Sequence, residues 1–168
     1  MAAYNRKANI ELYSLLMNRS DDLIFAETGS FFSSIPGLLN HILLSDLNWL
    51  TAFRDSEDLD LPELNSQALV YQRPGRKENL YDNFQDLTRH RETLDELLLD
   101  LTENTTEEIF QKHVTLFKTT PQVMPFGKCL MHVFNHQTHH RGAISQILDE
   151  HGIENDYSSL VKVFMSEI

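Results

Sequence analysis

The sequence predicts an all-α protein: a four-helix bundle with a long crossover between its second and third helices, plus a short C-terminal helix. Three observations carry this. Apolar residues recur at i, i+3, i+4 and i+7 in four separate blocks. The prolines, at 36, 62, 74, 121 and 125, fall at the edges of those blocks or between them. One polar stretch, residues 55–79, is far longer than the usual connection of about 4–6 residues, which suits a crossover rather than a turn. All of 1–168 reads as a single domain.

The first block covers residues 3–18, with Ala8, Leu12, Leu15 and Leu16 at helical spacing. Ser20, Asp21 and Asp22 end or restart the chain, and residues 25–32, which hold Gly29, read as a connection. The second block runs from Ser33 or Ser34 to Arg54. Pro36 stands in its first turn, where a missing N–H costs nothing. Leu38, Ile42, Trp49, Ala52 and Phe53 form its apolar stripe. A helix of about 22 residues is roughly 33 Å long. The extended linker 55–79 spans that easily, so the third helix is free to run parallel to the second. The third block, 80–101, carries Leu80, Phe84, Leu87, Leu94, Leu97, Leu98 and Leu101. Residues 107–119 suit either a short strand or irregular structure. The fourth block starts after Pro121 or Pro125 and ends at Gly152, placed as a C′ glycine. A terminal helix over 157–167, with Asp156 as its N-cap, completes the reading.

Composition excludes several functions. Fourteen Lys and Arg against 25 Asp and Glu leave a net charge of −11, which repels DNA and anionic membranes. A nucleic-acid or membrane partner is therefore not expected. One cysteine, Cys129, rules out an internal disulfide framework and a Cys-rich zinc site. It reads as a small buried core residue. No apolar run approaches the length of a membrane span, and the first residues lack the apolar stretch of a signal peptide. The expected location is cytoplasmic. H-E-x-x-H, E-x-x-H, G-x-G-x-x-G, the Walker A loop and G-x-S-x-G are all absent. That removes zincin proteases, ferritin-like di-iron bundles, dinucleotide and P-loop nucleotide cradles and the α/β-hydrolase elbow.

The chemistry concentrates in CLMHVFNHQTHHRGAISQIL, residues 129–148. At about 100° per residue, His136 and His140 fall about 40° apart, alongside Cys129, Val133, Ala143, Ile144 and Ile147. The expectation is that both histidines point into the core. Two buried imidazoles are costly unless something satisfies them, and two buried cations would shed their protons. Spacing i, i+4 lets both rings converge on one ion. The competing reading is a pair of hydrogen-bonded core histidines. His41, beside the apolar stripe of the second helix, is the candidate third ligand. Three neutral imidazoles would leave coordination positions open, the style of a catalytic rather than a structural site. His132 is a candidate fourth ligand or supporting group. His139 reads as a surface residue, His151 lies too far along the helix to share the ion, and His90 and His113 read as solvated. Asp46 projects about 140° from His41 and is not expected to reach the ion.

These residues resemble the DinB family. The resemblance starts at Tyr4-Asn5-Arg6 and Ala8-Asn9, runs through FFSSIPGLLNHILLSDLNWLTAF (31–53) and is strongest at HVFNHQTHHRGAI (132–144). It implies a four-helix bundle with the long crossover and a divalent metal held by three histidines, carried over as His41, His136 and His140. Two positions depart from the family's habit: Ala143 follows Gly142 where many relatives have glutamine, and Lys7 stands where many have an apolar or aromatic residue. The resemblance also implies a homodimer, and activity with low-molecular-weight thiols in some members. The expected function is a metal-dependent enzyme, a thiol-dependent transferase or a hydrolase acting on a small molecule. A non-catalytic metal-binding bundle, acting as a sensor or interaction module, is the alternative. Zinc or nickel lead as the ion, with iron, copper or manganese also suited to imidazole ligands.

Overall fold

Helical periodicity becomes four long helices in the computed structural model, which describes residues 1–29, 31–75, 78–116 and 122–165. They are α1 (Ala2–Met17), α3 (Ile35–Arg54), α4 (Phe84–Asn104) and α6 (Phe126–Glu150). Between them lie the single turn α2 (Asp21–Ile24), the short helix α5 (Glu107–Gln111) and an antiparallel hairpin of β1 (His113–Leu116) and β2 (Gln122–Pro125). The helix α7 (Val161–Met165) follows α6.

Local chemistry sets the boundaries. The Ser34 side chain caps α3 by accepting from the Gly37 N–H, and Pro36 sits in the first turn as expected. Asn83 caps α4, accepting from Gln85 and Asp86 N–H. The third helix thus begins four residues later than its periodicity suggests. The cause is Asn40 of α3, whose Nδ2 donates to the Tyr81 carbonyl at 3.0 Å while its Oδ1 accepts from the Tyr81 N–H at 2.9 Å. That clasp commits the Tyr81 backbone to a neighbouring helix. Gly152, at φ +68°, closes α6, with the Ile153 N–H reaching the Leu148 carbonyl at 3.0 Å and the Gly152 N–H that of Asp149.

Contacts along the chain give the helix directions. Arg6 pairs with Glu96, and Asn9 with Asp95, while Tyr13 stacks on Phe84, so α1 and α4 are antiparallel. His41 meets His136, Trp49 meets His132 and Phe53 meets Phe126, so α3 and α6 are antiparallel. Asn40 meets Tyr81 and Asp46 meets Arg91, so α4 runs parallel to α3, as the crossover argument expects. The crossover itself is less polar in its role than in its composition. Leu59, Leu61, Leu64 and Leu69 are buried against the bundle through two 3₁₀ turns, Pro62–Leu64 and Gln67–Leu69. Each buried leucine contributes roughly 1.5–3 kcal/mol.

Two further expectations need correction. The ambiguous segment splits into helix α5 and strand β1, its last residues lying outside the described ones. The terminal helix covers Val161–Met165 instead of 157–167, of which residues 166 and 167 lie outside the described ones. Asp156 accepts from the Ser158 N–H and hydroxyl in a turn before α7, not as its N-cap, and the Tyr157 carbonyl is taken by the Tyr4 hydroxyl.

Candidate metal centre

Helices α3 and α6 cross where His41, His136 and His140 stand. The His136 Nε2 lies 3.1 Å from the His41 Nε2 and 3.2 Å from the His140 Nε2. One ligand atom from each residue lies within 4.8 Å of the others. Neutral imidazole nitrogens converging in this way are a donor type that suits a divalent transition ion. The three histidines together could hold one such ion. The His136 Nδ1, on the far side of the ring, is buried with no hydrogen-bond partner among the described residues. Its Nε2 contacts the ring nitrogens of His41 and His140, so a cation bound there would be shared by all three imidazoles.

Burial keeps all three rings neutral. It pulls His136 down to about 4, helped by the nearby His140 and His41, and pulls His140 to about 4, helped by His41 and His139. His41 is lowered by burial alone. At neutral pH their lone pairs are therefore available to a cation. Phe32 holds the cluster from the side, stacking on His41 at 4.2 Å between ring centroids and meeting His140 edge-on at 5.7 Å. Gly37 permits this. A Cβ there would lie 2.0 Å from the Phe32 carbonyl oxygen, so only glycine lets that backbone close over the start of α3.

The helical-wheel expectation for α6 is displaced. The buried face is centred on Val133, Phe134, Gln137, Arg141, Ile144 and Leu148. His136 and His140 border that face and are half-buried, because polar Gln137 and Arg141 occupy positions that apolar counting passes over. The other histidines separate cleanly. His132 is exposed, packs against Trp49 at 5.1 Å and lies outside the three-nitrogen cluster. His139 is exposed, and so is His151, whose Nδ1 contacts the Ile147 carbonyl. His90 is not solvated as expected. Its Nε2–H donates to the Ala68 carbonyl at 2.8 Å and its Nδ1 accepts from the Tyr81 hydroxyl at 3.0 Å, tying the crossover to α4. Cys129 is fully buried, and burial raises its thiol pKa, in line with a packing role.

A DinB family model matches residues 1–159. The chain belongs to the DinB family. Protein DinB of Bacillus subtilis (strain 168) is 30% identical over 156 residues, covering 89% of this chain and 83% of that protein. Among the described residues of this DinB-family member, no helix is long and apolar enough to cross a membrane.

Behind the histidines lies a polar core that the sequence reading did not foresee. Asp46 of α3 is fully buried, and its Oδ2 accepts from Arg91 Nη1 at 2.5 Å and from Gln137 Nε2 at 2.9 Å. Arg91 Nη2 lies 2.9 Å from Asp95 Oδ1, and Asn9 Nδ2 bridges Asp95 and the Gln137 Oε1. Arg141 donates to Asn9, Gln137 and Asn5 and lies over the Tyr4 ring. All four long helices enter this network. Burial pushes the Asp46 carboxyl up to about 6, with Arg91 pulling it back, and raises Asp95 for the same reason. The available signal was polar residues lodged in apolar stripes: Asn5 and Asn9 beside Ala8 and Leu12, and Arg91 and Asp95 beside Leu87, Leu94 and Leu98.

Proposed function

We propose that the protein is a metal-dependent enzyme that transfers a low-molecular-weight thiol to a small molecule, or hydrolyses one. His41, His136 and His140 would hold one divalent ion, with zinc or nickel the leading candidates. The convergence of three Nε2 atoms at 3.1 and 3.2 Å carries this reading. A divalent ion bound by three neutral imidazoles keeps its full charge and acts as a Lewis acid, activating a coordinated water or thiol. The chain's own residues do the rest. Burial keeps the imidazoles unprotonated, and Phe32 shields one side of His41 from water. His132 is exposed, packs on Trp49 and stands outside the three-histidine group, which supports three ligands with coordination positions left open. A cavity of about 540 Å³ lies against His41, a size suited to small molecules. The three-ligand reading and this cavity support an enzyme over a purely structural ion.

The test is metal content by inductively coupled plasma mass spectrometry on tag-free protein purified without chelator, beside a His140→Ala variant. About one ion per chain, lost in the variant, is expected. No ion after reloading and dialysis ends the metal reading. Retained metal without turnover on a panel of thiols, acceptors and activated esters ends the enzymatic one.

A further inference from the structure

The cavity against His41 has two kinds of wall. Phe31 and Phe32 form one, meeting edge-on at 5.0 Å, with Phe31 83% exposed at the surface. The loop that holds Arg73 and Glu78 forms the other. Two of the polar side chains around this space are already engaged. Asn40 gives its amide to the Pro36 and Tyr81 carbonyls and its oxygen to the Tyr81 N–H. Glu78 turns its Oε2 to the Gly75 N–H at 2.8 Å. Arg73 is different: it has no ion-pair or hydrogen-bond partner among the described residues. Its setting is unusual for this chain. In a sequence of net charge −11, residues 72–78 read Gln-Arg-Pro-Gly-Arg-Lys-Glu, three cations to one acid. An unpaired guanidinium on a cavity wall has a ready carboxylate- or phosphate-binding fork.

We propose that this cavity is the substrate pocket and that it selects a small molecule bearing an anionic group, which Arg73 binds, with an apolar body laid against Phe31 and Phe32. The proposal deepens the metal-site reading and rests on it for the reacting end of the molecule. The anion contact itself needs no metal, which lets the two be tested apart.

Three probes of one shape and different charge make the test: para-fluorophenylacetate, para-fluorophenylacetamide and para-fluorophenethylamine. Fluorine NMR titration of the zinc-loaded full-length protein gives their dissociation constants. The acetate is expected to bind about tenfold tighter than the amide, and the amine more weakly than either, the scale of one charge-assisted hydrogen-bonded pair. Arg73→Gln should equalise acetate and amide while leaving the amide's own affinity unchanged. Arg73→Lys should restore part of the preference. Phe31→Ala should weaken all three probes alike. The same titrations on His140→Ala separate the readings: a preference that persists there and depends on Arg73 supports this pocket even if the wild type takes up no ion. A preference that survives Arg73→Gln, is absent from the wild type, or vanishes in His140→Ala because the carboxylate was bound to metal, overturns the proposal.

Discussion

Arg91→Met removes the cation between two buried carboxylates. Asp46 is fully buried and Asp95 is 3% exposed, so neither can turn to water when the guanidinium goes. The methionine fills much of the volume, which limits the cavity term. What remains is an uncompensated pair of buried charges, and breaking a buried ion pair on one side costs about 3–5 kcal/mol. Against a total stability of about 5–15 kcal/mol for a domain, that is a large share. With a urea slope of about 2 kcal/mol per molar, the midpoint should fall by about 2 M. The loss should also depend on pH in a set direction. Burial already raises Asp46 to about 6 in the native protein, and without Arg91 both carboxyls rise further. A group whose folded pKa lies above its unfolded value contributes stability at low pH and loses it as pH climbs through the folded pKa. The difference between wild type and variant should therefore be smaller at pH 5 than at pH 8. The double variant with Asp46→Asn should be more stable at pH 8 than Arg91→Met alone, since it carries one less stranded charge. Urea melts of metal-free protein at both pH values, followed by far-ultraviolet circular dichroism, measure all of this. A loss below about 1 kcal/mol, or one equal at both pH values, would refute the argument.

Three other outcomes follow from the same geometry. In metal-free protein, NMR titration should place His136 and His140 near 4, pulled down chiefly by burial, with His140 adding to the first and His41 to both; because their folded pKa lies below the unfolded one, they contribute stability above about 6.5 that is lost as pH falls through 4, and midpoints near 6.5 would contradict the site's burial. Gly37→Ala should displace Phe32 from His41, since its Cβ would meet the Phe32 oxygen at 2.0 Å, lowering stability by about 1–3 kcal/mol in thermal melts and weakening zinc binding in calorimetry. Native protein should leave Cys129 unlabelled by an aromatic disulfide reagent until urea unfolds it, because the thiol is fully buried and its pKa raised.

The helices were legible because their driving force is periodic. Leu12, Leu16, Leu94, Leu98 and Leu101 announce their burial by spacing alone, and Pro36 and Gly152 mark ends by backbone chemistry. The three histidines were legible as a set because i, i+4 spacing and an independent stripe on α3 both singled them out. The start of α4 was hidden because Asn40, far away in sequence, decides it. The orientation of α6 was misjudged for a related reason. Counting apolar residues treats Gln137 and Arg141 as surface, yet they are buried by partners on α1 and α3 that no local window contains. The role of His90 was missed in the same way, since its acceptor is a crossover carbonyl.

The clasp between Asn40 and Tyr81 also bears on how this scaffold can diversify. The crossover is anchored at its beginning by Leu59, Leu61, Leu64 and Leu69 and at its end by the Tyr81 backbone. Between those two moorings, none of the described residues 72–75, 78 and 79 is buried in the bundle. Lengthening a chain segment between fixed ends costs only about 0.6 kcal/mol per doubling. Insertions and wholesale replacement should be tolerated there while the same changes at 80–83 unfasten α4. Arg73 and Glu78, which shape the cavity beside His41, lie in that stretch. The scaffold therefore has a segment whose sequence can be rewritten for a new ligand while the helices and the histidines stay where they are.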